Sequence, residues 1–376
     1  MSSLLSDADV IERVFHHIDN KSTDSGDSVW REPVENYRSQ QRFEAEIALL
    51  RRLPVPFCPS AALPEPGSYV AREAALTPLL VVRGQDGVVR AFRNACRHRG
   101  MKVADGSGCV RAFNCPYHAW SYGLDGQLKF VPGEDGFPGI DKATLGLTPV
   151  KAEEKHGIVF VTQDEPVSTD GMDAMPAIIQ PEQQLFDTAE LIDEANWKLL
   201  CETSMEGYHI KALHNRSFYP YGFDNLNVVE TYGPNSRITF PFRRIEKLRA
   251  IPPAERRIDG MVTYVYQLFP NAHVTILSSH SLFIVIEPLS PARSRWIFYR
   301  LSNPGGKGHG SEEKLAEAKR DAKFVKDTGL DEDREAACAI QAGLASGANE
   351  AFIFGQYEQA IVHFHEALNR LLPEVA

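Results

Sequence analysis

The stretch that decides the reading is Cys96-Arg97-His98-Arg99-Gly100, followed after sixteen residues from His98 by Cys115-Pro116-Tyr117-His118-Ala119-Trp120. Each half offers one thiol and one imidazole. Two such loops, each at a β-hairpin, can converge on one site. A [2Fe–2S] cluster with two thiolates on one iron and two imidazoles on the other needs this ligand set, and its neutral imidazoles raise the potential above that of an all-cysteine cluster. Structural zinc also accepts two cysteines and two histidines, but zinc fingers put the two cysteines together and the two histidines together. Here each loop gives one of each, which favours the cluster.

Outward from this motif, residues from about Val55 to Thr162 break into short β segments. Leu79 to Arg83, Val88 to Phe92, Val110 to Asn114, Gln127 to Val131 and Ile158 to Val161 are strand-like, with Asp86-Gly87 and Asp125-Gly126 as hairpin turns. After Pro166 the pattern changes. Trp197 to His214 is predicted helical in its first part. Longer runs rich in β-branched and aromatic residues follow: Leu226 to Tyr232, Arg237 to Phe242, Met261 to Phe269, His273 to Ser278, Ser281 to Glu287 and Arg295 to Leu301. They predict an antiparallel sheet, and Ser311 to Phe324 and Asp333 to Leu372 read as helices closing it. At the other end, Ser6 and Asp9 have capping-box spacing, and Val10, Val14, Phe15 and Ile18 share a helical face. Asn20 to Ser28 reads as a linker. The expected fold class is α+β: an all-β metal domain at 46–165, then a catalytic domain at 166–376 with a curved antiparallel sheet covered by helices. Residues 1–45 are an N-terminal helix and linker packing on the catalytic domain.

Composition narrows the partners. The formal charge of −10 argues against nucleic acid, whose phosphates would repel such a surface. No apolar run is long enough to span a bilayer, and no secretory signal precedes Asp9, so the cytoplasm is the expected compartment. The remaining cysteines, Cys58, Cys109, Cys201 and Cys338, have no partner at ligand spacing and are expected to be free buried thiols.

A second constellation lies in Glu202-Thr203-Ser204-Met205-Glu206-Gly207-Tyr208-His209, with His214 five residues on. Five residues on an ideal helix turn by roughly 140°, so the two rings would not share a face. The helix must break or bulge between them if both bind one ion.

The first motif, with Ala91 to Asn94 before it and Tyr122-Gly123-Leu124-Asp125-Gly126 after it, resembles the Rieske motif of ring-hydroxylating oxygenase large subunits. Gly100, Gly123 and Gly126 would supply the tight turns around the cluster. The second stretch is similar to the Asp/Glu-x-Tyr-His-x4-His signature of the same family, which implies that His209 and His214 ligate a mononuclear Fe(II). The resemblance places the third ligand, a carboxylate, near the start of a helix running into a Gln-x-Gly segment. Here that is Asp331-Glu332-Asp333 leading to Gln341-Ala342-Gly343. Asp333 is the choice, because Ala337, Ile340 and Leu344 on its face suggest a core-facing side. Asp331 shares a more polar stripe with Glu335 and Cys338. In the family an acid at the position of Glu206 bridges an iron ligand and a cluster histidine of a neighbouring subunit, by position His118. Thr203 stands where an Asn is frequent. Tyr117 and Tyr208 are second-sphere candidates, while His280, His363 and His365 read as structural.

The resemblance further implies a helix-grip (START-like) catalytic fold and a head-to-tail homotrimer. Electrons would come from NAD(P)H through a separate ferredoxin and/or flavin reductase, and O2 would react with a small organic substrate. Hydroxylation of an aromatic ring is the expected reaction, from the Phe and Tyr content of the carboxyl half. Monooxygenation with N- or O-demethylation is the alternative, and an electron-transfer iron–sulfur protein with a dead second site is the reading from another class.

Overall fold

The structure is a computed structural model that describes residues 4–303, 312–325 and 330–372. It divides into two compact units: residues 50–169, and the N-terminal residues up to Leu49 joined with those from Asp170 on.

The 50–169 unit is all β. Its larger sheet has the order Val55–Pro59, Ile158–Thr162, Pro149–Lys155, Val89–Arg93, Thr77–Arg83, Ser68–Ala74, Gly106–Cys109, every pairing antiparallel. A small second sheet joins Phe113–Asn114, Ser121–Tyr122 and Leu128–Phe130. Phe92, Phe113, Trp120, Tyr122 and Leu128 pack with Cys96 and Cys115 in one core cluster. Gly126 is required there: its φ is +78°, and a Cβ would sit 2.3 Å from the Phe92 ring. Gly123 takes no left-handed backbone. It is confined instead by the Asp125 carboxylate, 2.5 Å from where its Cβ would stand. The expected strand Val110 to Asn114 shrinks to its last two residues, and Ser68–Ala74 and Pro149–Lys155 are strands the pattern did not announce.

The second unit is built on a seven-stranded antiparallel sheet. Six strands form a meander from Val228–Tyr232 through Asn235–Pro241, Val262–Leu268, Ala272–Ile276 and His280–Ser290 to Arg293–Ser302. Leu185–Asp193, absent from the sequence reading, pairs with Arg293–Ser302 as the far edge. Helices Trp197–Glu202, Glu312–Val325 and Gln359–Leu371 contact this sheet. The α+β architecture is therefore as expected, and two segments differ from it. Asp333 to Leu372 is not one helical run. Helix Asp331–Gly343 gives way to a short 3-10 turn ended by left-handed Gly347, then strand Ala351–Phe354 pairs with Trp30–Pro33 before the last helix. The stretch Asn20 to Ser28 is no free linker either. Asp24 is buried, accepts from Arg13 and from the backbone N–H of Val229, and sits 2.9 Å from His17 Nε2. Burying one carboxylate with all its partners supplied holds a polar segment that has no apolar anchor of its own.

The helix Asp7–Asn20 is capped by Ser6, which accepts from the Asp9 N–H, and it buries Val10, Val14 and Phe15. Cys58 and Cys201 are buried as expected, but Cys109 is exposed on its edge strand and Cys338 is half-buried. His309 and Ser311 lie outside the described residues. Among the described residues, no helix is long and apolar enough to cross a membrane.

Candidate functional site

The two Cys/His loops have the same backbone. In the first, Cys96 N–H donates to Met101 O and Gly100 N–H to Cys96 O; in the second, Cys115 N–H donates to Trp120 O and Ala119 N–H to Cys115 O. Four residues after each cysteine the chain turns left-handed, at Gly100 (φ +78°) and at Ala119 (φ +57°). The repeat brings His98 Nδ1 and His118 Nδ1 to 3.1 Å. Two imidazole nitrogens on one first-row metal, each about 2.1 Å from it, stand about this far apart. The thiols are buried and the imidazoles half-exposed. Trp120 stacks on His98 at 5.0 Å and 9°, and Tyr117 covers His118 at 3.7 Å. The Tyr122 hydroxyl accepts the Arg97 N–H at 2.9 Å and lies 3.2 Å from Cys96 Sγ, so its own proton is free to point at the sulfur. Hydrogen bonds to sulfur raise a cluster's potential. The four residues thus fit a [2Fe–2S] group, thiolates inward and imidazoles outward.

The second site solves the spacing problem by ending the helix. Trp197–Glu202 stops, an irregular turn follows, and Ile210–Leu213 is a single helical turn. His209 caps its start and His214 its end, which brings their ring centroids to 5.0 Å. Asp333 arrives from helix Asp331–Gly343. Its Oδ1 lies 3.0 Å from His214 Nε2 and 3.5 Å from His209 Nε2, and one ligand atom from each of the three falls within 4.8 Å of the others. Each histidine keeps Nε2 for this point because a second carboxylate holds its Nδ1: Glu206 for His209, Glu332 for His214 at 2.6 Å. Ser217 Oγ donates to the same Glu332 oxygen at 2.5 Å. A carboxylate behind a ligating imidazole fixes its tautomer and ring plane. Burial opposes protonation of both rings, yet the facing carboxylates outweigh it and hold His209 and His214 above the ordinary imidazole value. Three acids crowding two imidazoles form a donor set that a divalent cation neutralises, and two histidines with one carboxylate suit ferrous iron with open positions.

Glu206 is not a surface glutamate on a helix. It sits in the irregular turn and also accepts the backbone N–H groups of Tyr208 and His209. Asp331 turns away to Arg334 at 2.9 Å. Ala337 and Leu344 beside Asp333 are buried, whereas Ile340 is 44% exposed and does not share that role. Tyr117 and Tyr208 are both exposed on their own units, so neither packs in a core. Thr203 donates to Leu200 O, within its own helix end. Of the histidines read as structural, His280 is buried with Nδ1 2.9 Å from Asp321, His363 donates to Gly233 O, and His365 is buried between Tyr37 and Glu202. Sequence reasoning missed Glu332 and Ser217, which no local pattern marks. It also missed the Tyr122 hydroxyl, whose place two residues past Trp120 in a strand could have suggested an inward side chain.

The family model described as "Ring hydroxylating alpha subunit (catalytic domain)" matches residues 186–374, and "Rieske [2Fe-2S] domain" matches residues 54–143. The chain belongs to the Rieske oxygenase alpha-subunit family. Among relatives, the carnitine monooxygenase oxygenase subunit of Acinetobacter baumannii is 34% identical over 199 residues, covering 50% of this chain and 53% of that protein. The chain thus matches about half the length of that relative. Its namesake from Escherichia coli K12 is 32% identical over 310 residues, covering 72% and 79%. The fold resembles that of a quaternary ammonium Rieske monooxygenase in complex with L-carnitine (TM-score 0.75, 21% identity, 99% and 100% covered). It also resembles naphthalene 1,2-dioxygenase from Rhodococcus sp. (TM-score 0.70, 18% identity, 98% and 99% covered). The family's cofactors are the Rieske cluster and a mononuclear iron.

Proposed function

We propose that this chain is the oxygenase component of a monooxygenase that oxidises a small quaternary ammonium compound and releases an N-bound carbon. The carrying observation is the 32% identity over 72% of the chain to a carnitine monooxygenase subunit. A glycine betaine monooxygenase subunit of Chromohalobacter salexigens, 34% identical over 159 residues, adds to it. This replaces the expectation of an aromatic substrate, which rested on Phe and Tyr content. Those rings have other work: Phe283, Phe298, Tyr299 and Phe364 are buried, and Arg237 lies over Tyr264 and Tyr266. Aromatic faces also serve a substrate cation as readily as a substrate ring.

In this reading Cys96, Cys115, His98 and His118 hold the cluster, and His209, His214 and Asp333 hold the iron. When bound, the cluster supplies electrons singly and the iron supplies the site of dioxygen activation. Glu206 and Glu332 fix the imidazole planes, so both Nε2 atoms stay on the metal side. Glu206 is also the group that would reach the partner subunit's His118 in a head-to-tail trimer, a closed ring of identical interfaces. Electrons come from NAD(P)H through a separate reductase.

The test uses purified chain, a surrogate reductase, NADH and labelled O2 against carnitine, glycine betaine, choline and naphthalene. One labelled oxygen is expected in the aldehyde formed from the released N-bound carbon, trapped before it exchanges with water, and none in the amine left behind. Two labelled oxygens in a ring diol would overturn the substrate class. Two irons per chain instead of three would favour the electron-transfer reading.

A further inference from the structure

The Gln-x-Gly helix carries two polar groups that the metal site does not use. Arg334, next to Asp333, makes two parallel bonds to Asp193, 2.7 Å from Nε and 2.6 Å from an outer nitrogen, and a third bond to Asp331. The Asp193 carboxylate is 8% exposed and Arg334 17%. Gln341 Oε1 accepts the Asn196 N–H at 2.9 Å. Arg334 and Gln341 are seven residues apart, close to two helical turns, so they share one face. Both grip one turn, residues 193–196. That turn is itself fixed: Ser294 Oγ donates to Ala195 O, and Asn196 Nδ2 donates to Pro291 O and Tyr37 O. Asn196 is also the N-cap of Trp197–Glu202, the helix that runs into Glu206 and His209.

The turn 193–196 is therefore a common reference for both ligand-bearing segments. One segment leaves it through the chain and carries His209 and His214. The other is clamped onto it by side chains and carries Glu332 and Asp333. A bidentate guanidinium–carboxylate pair fixes direction as well as distance.

We propose that Arg334, with Gln341 as a second tether, is a positioning residue that sets how closely Asp333 approaches His209 and His214, and hence the affinity for Fe(II). The proposal rests on the reading of these three residues as the iron site. It is tested on the full chain, made anaerobically with its cluster loaded. The third iron is titrated by equilibrium dialysis against radioactive Fe(II), while cluster absorbance and the melting temperature are followed in parallel. For Arg334→Gln, half-filling should need roughly 10- to 100-fold more Fe(II), the loss typical of an outer residue that orients a ligand. Saturating Fe(II) restores full occupancy, and cluster absorbance is unchanged. Arg334→Lys, which keeps the charge without the fork, falls between. Arg334→Gln combined with Asp193→Asn is no worse than either alone, because the two act as one pair.

A merely structural role would lower the melting temperature and leave the Fe(II) titration at wild type. That result overturns the proposal. Wild-type chain that takes up no third iron overturns the iron reading as well, so the two failures are distinguishable. Should Arg334→Gln not fold, Gln341→Asn is titrated in the same way. A weakened site is again expected, and parity with wild type again overturns the clamp.

Discussion

Glu332 gives the sharpest handle on the proposed iron site. Its carboxylate receives His214 Nδ1 at 2.6 Å and Ser217 Oγ at 2.5 Å, behind an imidazole that is 1% exposed. A hydrogen bond to a charged partner contributes roughly 1.5–3 kcal/mol. Glu332 itself is one-third exposed, so the lower half of that range applies. At about 1.4 kcal/mol per tenfold, Glu332→Ala should weaken Fe(II) binding by roughly 10- to 50-fold. Glu332→Gln keeps an acceptor and loses only the charge, about 1 kcal/mol, or roughly fivefold. Anaerobic Fe(II) titration of the three proteins gives the order wild type, Gln, Ala. If the Ala variant binds within twofold of wild type, Glu332 does not orient His214. If the Gln variant is the weakest, the loss comes from something other than the missing acceptor.

Two further outcomes follow from the same geometry. Ala119 occupies the left-handed position that Gly100 fills in the sister loop; Ala119→Gly should stabilise the protein by roughly 0.5–1 kcal/mol in thermal or denaturant unfolding, and a clear destabilisation would show that the methyl group packs usefully. Burial pushes His273 down to about 4, so between there and the free imidazole value of about 6.5 only the unfolded chain binds that proton. Stability then rises by about 1.4 kcal/mol for each unit of increasing pH across this window and is lost as the pH drops through it, and His273→Gln should flatten that part of the unfolding profile; parallel profiles would contradict it.

The parts of this molecule that were legible in the sequence are those whose cause is local. Two loops with one thiol and one imidazole each announce their site because each loop is self-contained, closed by its own backbone bonds. The meander was legible for a similar reason: each strand pairs with its sequence neighbour across a turn. Leu185–Asp193 was not, because it pairs with a strand more than a hundred residues later and its outer residues are half-exposed, so no alternation marks it. Ser68–Ala74, with Arg72, Glu73 and two alanines, is likewise held in its sheet by two flanking strands more than by its own composition.

The proposed iron site shows the same division within a few residues. The five-residue step from His209 to His214 forbids a continuous helix if the rings are to meet, and the chain obeys by reducing the helix to one turn with a histidine at either end. That much follows from helical geometry alone. The acids are another matter. Asp331, Glu332 and Asp333 are indistinguishable as a run, since any of them suits the positive end of a helix. Successive residues on a helix point about 100° apart, and this alone separates them: one toward Arg334, one behind His214, one onto the shared point. Which acid takes which direction depends on how the helix is rotated about its axis. Arg334 and Gln341, held by a turn some 140 residues earlier, set that rotation.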